Sequence, residues 1–146
     1  MSEMTDTKKY LQQIRFYDSR INAKLAERDR LKDMLTKITP TLRNDAVSGG
    51  HGSQDKLSDA VAKIVDLEAE IDLAVDSFVN ARKSVNEVID KVSDDKQFNI
   101  LHRRYVLNET FEQIATDMGY TYRWICSVHG EALKTVEKIL KSEKSS

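Results

Sequence analysis

The most regular hydrophobic pattern in the chain lies between residues 55 and 92. Apolar residues recur there every seven positions, at Leu57, Ile64, Ile71, Phe78, Val85 and Val92. A second set follows three positions after the first five of these, at Ala60, Leu67, Ala74, Ala81 and Val88. This repeat extends over five heptads, which predicts a long helix that packs against a partner helix as a coiled coil.

An earlier amphipathic segment predicts a first long helix over about residues 6–38. Thr5 or Asp6 can cap its start, and Pro40 is expected to mark its end. Its apolar positions include Leu11, Ile14, Tyr17, Ile21, Leu25, Leu31, Leu35 and Ile38. The segment 39–54 holds the only proline and three of the five glycines, so it predicts a flexible loop between the two helices.

The partner of the heptad seam is either the first helix, folded back as an antiparallel hairpin, or a second copy of the chain. Residues 1–43 carry ten basic and six acidic side chains, whereas residues 44–92 carry five basic and ten acidic ones. Opposite net charge favours pairing of the two segments within one chain. We therefore expect an intrachain hairpin that self-associates further through its remaining apolar surface, with a dimer favoured.

A different pattern follows the end of the heptads. A short helix is predicted over about residues 96–106, followed by a turn. Thr110 and Gln113 match a capping box, so another short helix should begin there. Gly119 suits a turn that needs a positive φ, and Thr121 can cap the helix that comes next.

These last two helices have the side chains that a helix-turn-helix needs. Ala115 is small where the helices would cross, and Ile125 and Val128 would lie on the buried side of the second helix. The predicted fold class is therefore all-α. A long antiparallel helical hairpin or coiled coil over residues 1–92 would precede a small helix-turn-helix DNA-binding domain over residues 93–146.

The second helix of this motif contains the candidate base-reading residues. If it enters a major groove, side chains of its first turns contact the bases. The residues expected at this surface, beginning with the cap, are Thr121, Tyr122, Arg123, Cys126 and Ser127. Arg123 is the best candidate for a bidentate contact to guanine.

Other residues near this helix are candidates for supporting contacts. Trp124 either packs against thymine methyls or sugars or completes the hydrophobic core, and the sequence leaves both open. Arg103 and Arg104 on the preceding helix are candidate phosphate contacts, and Lys134 is a weaker one.

Composition restricts the possible functions. The net charge of −1 provides no whole-chain argument for nucleic-acid binding, so any basic surface must be local. His51, His102 and His129 are scattered, only one cysteine is present, and there is no glycine-rich phosphate loop or nucleophile motif. We therefore expect no enzymatic activity, no metal site and no cofactor.

The sequence also predicts the cellular compartment of the protein. A single cysteine fits a reducing compartment, and no apolar run approaches the roughly 20 residues that cross a bilayer. The amino terminus also lacks the apolar core of a signal peptide. The expected location is the cytoplasm, and no membrane partner is expected.

The segment from Phe98 to about Leu140 resembles region four of bacterial sigma factors, which reads the promoter −35 element. The positions that carry the resemblance are Leu101, Arg104-Tyr105, the run from Thr110 to Ala115, Met118-Gly119, and Thr121 to Val128 followed by Ala132-Leu133-Lys134. A long charged helical segment ahead of such a domain resembles the sigma-like and ArpU-like regulators of phages and prophages. The resemblance implies a phage-encoded transcriptional regulator in the bacterial cytoplasm or nucleoid. Its partners would be double-stranded DNA and the host RNA polymerase.

The chain also departs from that family. Sigma factors usually carry arginine, glutamate or glutamine at the outward positions of the recognition helix, where this chain has Tyr122, Cys126 and Ser127. Two rival functions stay open. One is a small-terminase-like DNA-packaging subunit, and the other is a protein–protein adaptor whose sigma-like domain does not bind DNA.

Overall fold

The structure is a computed structural model that describes the backbone of residues 2–44 and 51–145 and the side chains of residues 5–37 and 54–145. The described residues form six α-helices and one π-helical segment, with no strand among them. In chain order these are α1 (Ser2–Leu11), α2 (Gln13–Asn44), α3 (His51–Asp90), α4 (Asp95–Leu101), the π segment (His102–Val106), α5 (Phe111–Met118) and α6 (Tyr122–Ser145). The all-α fold class predicted from the sequence is confirmed.

The first predicted helix starts earlier than expected and is divided once. It begins at Ser2, and a single residue, Gln12, separates α1 from α2. The amide of Gln12 donates to the carbonyl of Lys8, and the carbonyl of Gln12 accepts from the amide of Phe16, each at 2.9 Å. The helical hydrogen-bond ladder therefore continues across the division.

The predicted helix end before Pro40 is wrong, because α2 passes this proline and ends at Asn44. A proline removes one N–H from the ladder and crowds the carbonyl four residues earlier, which weakens a helix without having to end it. α3 begins at His51, so the predicted loop over 39–54 is helical at both ends. Its central residues, 45–50, lie outside the described residues.

The described chain packs as two compact units, and one of them is the segment 18–77. The heptad positions buried in this unit are Ile64, Leu67 and Ile71. Lys24 Nζ lies 3.1 Å from Glu70 Oε2, and Lys63 Nζ lies 3.7 Å from Glu27 Oε1. Residue numbers fall along α3 as they rise along α2, so the helices run antiparallel at these pairs. Exposed ion pairs contribute tenths of a kcal/mol, whereas each buried Ile or Leu contributes about 1.5–3 kcal/mol, so packing dominates here.

The other unit contains the chain up to Tyr17 and the chain from Phe78 onward. Its main core is built from α1, the start of α2, the end of α3, α4, the π segment and α6 from Ala132 onward. The buried members are Leu11, Ile14, Val85, Val88, Ile89, Val92, Leu101, Tyr105, Val106, Ala132, Leu133 and Val136. Residues on both sides of the predicted domain boundary at residue 92 therefore share one core.

A smaller cluster joins α4 and α5 to the first turns of α6. Its buried members are Ile100, Ile114, Ala115 and Ile125. α5 begins with the predicted capping box: Thr110 Oγ1 accepts from the amide of Gln113 at 3.1 Å, and Gln113 Oε1 accepts from the amide of Thr110 at 2.9 Å. The helix ends at Met118, and Gly119 follows as its C-cap with a φ of 76°, the left-handed conformation that the sequence predicted.

The helix predicted over residues 96–106 is regular only in its first part. In the π segment the amide of Leu107 donates to the carbonyl of His102, five residues earlier, at 3.0 Å. Asn108 follows with a φ of 58°, a left-handed conformation that asparagine adopts more readily than most residues. This residue turns the chain toward α5, and the predicted turn between the two helices is confirmed.

Two glycines should respond oppositely to the same substitution. Gly119→Ala places a side chain at positive φ and should lower the free energy of unfolding by roughly 1–2 kcal/mol. Gly130 lies inside α6, and a Cβ added there would meet nothing within 4 Å. Gly130→Ala should therefore raise the free energy of unfolding by roughly 1 kcal/mol in urea titrations followed by circular dichroism. A destabilised Gly130→Ala variant would contradict this description of α6.

Candidate nucleic-acid interface

The start of α6 is fixed by its cap and by one buried face. Thr121 Oγ1 accepts a hydrogen bond from the amide of Trp124 at 3.1 Å, as an N-cap residue does. The side chains that α6 buries are Ile125, His129, Ala132, Leu133 and Val136. Tyr122, Arg123 and Ser127 are exposed, so these three predicted contact residues are accessible to a ligand.

Cys126 is less accessible than the outward position predicted for it. Its side chain is half-buried, and its thiol is hydrogen-bonded to the phenol of Tyr122 one turn earlier. This hydrogen bond is the main reason that the pKa of Tyr122 is raised. The two residues therefore form a pair on the surface of α6, in which Tyr122 is the more exposed member.

Trp124 belongs partly to the core, which is one of the two roles that the sequence left open, and part of its side chain remains accessible. It packs against the cluster formed by α4, α5 and α6. Its ring also stacks on that of Tyr120, with centroids 3.9 Å apart and planes 19° apart. The ammonium of Lys96, on α4, lies 5.5 Å from both ring centroids.

Sequence reasoning missed Lys96, because nothing in the local pattern of α4 points to residues 120 and 124. Only the packing of α4 on α6 brings the three side chains together.

Arg103 and Arg104, the predicted phosphate contacts, already have partners within the protein. Arg103 Nη1 lies 3.4 Å from Glu109 Oε1 and 3.5 Å from Asp117 Oδ2. Arg104 donates to the carbonyl of Glu109 at 3.1 Å, and its guanidinium lies 4.4 Å from the ring centroid of Phe111. A phosphate would have to compete with these groups for either arginine.

Three other cations near α6, Lys134, Arg123 and Lys96, differ in whether they form ion pairs. Lys134 Nζ lies 3.9 Å from Glu131 Oε1, and both side chains are more than 60% exposed, so this pair is weak. Within the described part of the chain, neither Arg123 nor Lys96 forms an ion pair. These two cations can therefore bind an anion without first losing a carboxylate.

Beneath this surface, Tyr105 and His129 form a buried polar pair. Tyr105 Oη and His129 Nε2 are 2.6 Å apart, and the edge of Phe111 packs on the imidazole with centroids 4.8 Å apart. Burial, together with the nearby charges of Lys8 and Arg104, lowers the pKa of His129 to about 4. Burial raises the pKa of Tyr105 to about 12, so at neutral pH the phenol and the imidazole are both uncharged and share this hydrogen bond.

Comparison with protein-family models, with curated proteins and with solved structures finds no match to this chain. Among the described residues, none of the helices has an apolar stretch long enough to span a bilayer. Within the same ranges, no three His, Cys, Asp or Glu side chains converge on a point where a metal ion could bind.

The buried histidine should make stability depend on pH. Between pH 6.5 and about 4, His129 binds a proton in the unfolded chain but not in the folded one, so stability should fall as pH falls. The contribution of this residue is at most about 1.4 kcal/mol per pH unit. Urea titrations from pH 7 to pH 5 should show a smaller loss in a His129→Gln variant than in the parent chain. Equal slopes in the two proteins would contradict a neutral, buried His129.

Proposed function

We propose that the protein is a sequence-specific, double-stranded-DNA-binding transcriptional regulator of the kind that phages encode, with no enzymatic activity of its own. The observation that carries the proposal is the pair of helices α5 and α6, joined through the left-handed Gly119, with Arg123 exposed and unpaired beyond the cap. This geometry supports a helix-turn-helix of the sigma region-four type. The cytoplasm or nucleoid of a bacterial host is the compartment that this function requires.

In the proposed mechanism the first turns of α6 enter the major groove. Arg123 would donate to O6 and N7 of a guanine, a contact that contributes roughly 1–3 kcal/mol of base discrimination. Tyr122 and Ser127 would bond to phosphates or base edges. Residues 95–146 carry eight basic and seven acidic side chains, so binding should be weak and sensitive to salt unless two domains bind together.

The N-terminal helices would supply self-association or a contact with host RNA polymerase. The antiparallel ion pairs between α2 and α3 support the predicted hairpin. Among the described residues, half of the large apolar side chains that remain exposed lie on α3: Val61, Val65, Leu73, Val75 and Val79. Clustered exposed apolar residues are typical of an interaction surface, and a second copy of the chain is the occupant we propose.

Replacing Arg123 tests the recognition helix. Arg123→Ala should weaken binding to a phage late-promoter site by roughly 10–100-fold in mobility-shift titrations, because it removes the bidentate contact. Arg123→Lys keeps the charge but lacks the planar fork, so it should retain non-specific affinity and lose discrimination between promoter and random DNA. Unchanged sequence-specific binding by Arg123→Ala would show that α6 does not read the bases through this residue.

Self-association is best tested with point variants. A truncation at Ser93 would remove Val85, Val88 and Ile89 from the main core and would unfold the domain it was meant to isolate. At about 100° per residue, Val65 lies within about 40° of Val61 around α3, whereas Leu73 is turned about 80° from Val65 and about 120° from Val61.

We expect the parent chain to be a dimer by light scattering. Val65→Lys should shift it to the monomer, whereas Leu73→Lys should leave its mass unchanged. A monomeric parent would contradict the proposed self-association, and ring-sized oligomers would instead favour a packaging subunit of the small-terminase kind.

A protein–protein adaptor is the second candidate function. The observation that favours it is the engagement of Arg103 and Arg104 with groups of the same chain, which leaves fewer cations for DNA. The two candidate functions predict a different dependence of DNA affinity on salt concentration. A DNA binder loses affinity steeply as salt rises, whereas an adaptor should show no salt-dependent affinity for duplex DNA.

A further inference from the structure

Lys96, Tyr120 and Trp124 form a compact surface group beside the start of α6, which we call the aromatic–lysine patch. The two rings are stacked, and the Lys96 ammonium lies 5.5 Å from each ring centroid. Tyr120 is 38% exposed and Trp124 is half-buried. The patch therefore presents one ring and one cation to solvent, next to the exposed Arg123.

The ammonium of Lys96 lies beside the two rings, and no carboxylate in the described part of the chain neutralises its charge. Within the described residues it has no carboxylate partner, even though two aspartates precede it in the sequence. Asp94 is occupied as the N-cap of α4, where its carboxylate accepts from the amide of Gln97 at 3.0 Å. The ammonium lies beside the stack, at the same distance from both rings, and its N–H donors remain available to an anion.

The exposed ring beside this cation fits a ligand with both an anionic and an apolar part. A phosphodiester backbone has this character, because each charged phosphate is flanked by deoxyribose rings. We propose that the aromatic–lysine patch binds the sugar–phosphate backbone of the DNA strand that borders the groove entered by α6. Lys96 donates to a phosphate oxygen, and the face of Tyr120 packs against the adjoining sugar.

This inference rests on the proposed DNA-binding function and deepens it. The phosphate contact that the sequence predicted for Arg103 and Arg104 is assigned instead to Lys96, which has no competing carboxylate among the described residues. The two arginines are already engaged with Glu109, Asp117 and Phe111. A phosphate contact positions the protein on DNA without reading sequence, so Lys96 contributes to affinity and salt dependence and not to discrimination between bases.

The single tryptophan of the chain makes the patch directly observable, because all tryptophan emission comes from Trp124. The experiment titrates a random-sequence 30-base-pair duplex into the full-length protein at several salt concentrations, following this emission and, in parallel, mobility shift. In the parent chain the emission should change in proportion to bound DNA, because the backbone contacts the stacked rings.

Lys96→Ala should weaken binding by roughly 3–10-fold at low salt and reduce the slope of log K against log salt by about 0.9, the value for one phosphate contact. Lys96→Arg should restore the slope. Lys83→Ala, which removes the same charge from an exposed position on α3, should match the parent. Tyr120→Ala should weaken binding with the slope unchanged, because it removes no charge.

Two results would overturn the inference while leaving the proposed function standing. One is a Lys96→Ala variant that melts like the parent and keeps the parent's salt slope while Arg123→Ala still weakens binding. The other is full binding by mobility shift with no change in Trp124 emission. A parent chain that binds neither random nor promoter DNA at any salt concentration would overturn both the function and the patch.

Discussion

The burial of one face of α6 is the constraint on which the C-terminal part of the structure depends. Ile125, in its first turns, is fully buried against α4 and α5, and Ala132, Leu133 and Val136 are buried in the main core with α1 and the end of α3. At about 1.5–3 kcal/mol for each large apolar side chain, this burial outweighs the exposed ion pairs of the same unit. The outward position of Arg123 is therefore a consequence of what the opposite face of the helix buries.

The same burial explains why the polar side chains beneath α6 are hydrogen-bonded to each other. A buried imidazole without a partner would destabilise the fold by roughly 1–3 kcal/mol, and the hydrogen bond between His129 and the phenol of Tyr105 removes that penalty. Among the described residues, no buried side-chain nitrogen or oxygen lacks a hydrogen-bond partner. The pair also joins the π segment to α6, so the widened turn that carries Tyr105 has a packing role.

Features that depend on neighbouring residues were predictable from the sequence. The Thr110–Gln113 capping box, the left-handed Gly119 and the cap at Thr121 each follow from the chemistry of one or two side chains, and all three are present. Features that depend on tertiary packing were not. The continuation of α2 past Pro40 and the pairing of Lys96 with Trp124 were not evident from any short window of the sequence.

The candidate site shows the same division. Exposure of Tyr122, Arg123 and Ser127 followed from the apolar period of α6. The engagement of Arg103 by two carboxylates and of Arg104 by a phenylalanine ring did not. Arginines are counted as cations in a sequence, but their availability to a ligand is decided by the groups packed around them. The likeness of the 98–140 segment to sigma region four remains a prediction.

The central claim is that the outward face of α6 and the adjoining turn bind duplex DNA. Mapping of backbone amide chemical shifts during titration with duplex DNA tests it most directly, because it reports every residue at once in the unmodified chain. We expect the largest shifts at residues 120–131 and at Lys96, with α3 unaffected. Shifts confined to α3, or no shifts at saturating DNA, would contradict the claim.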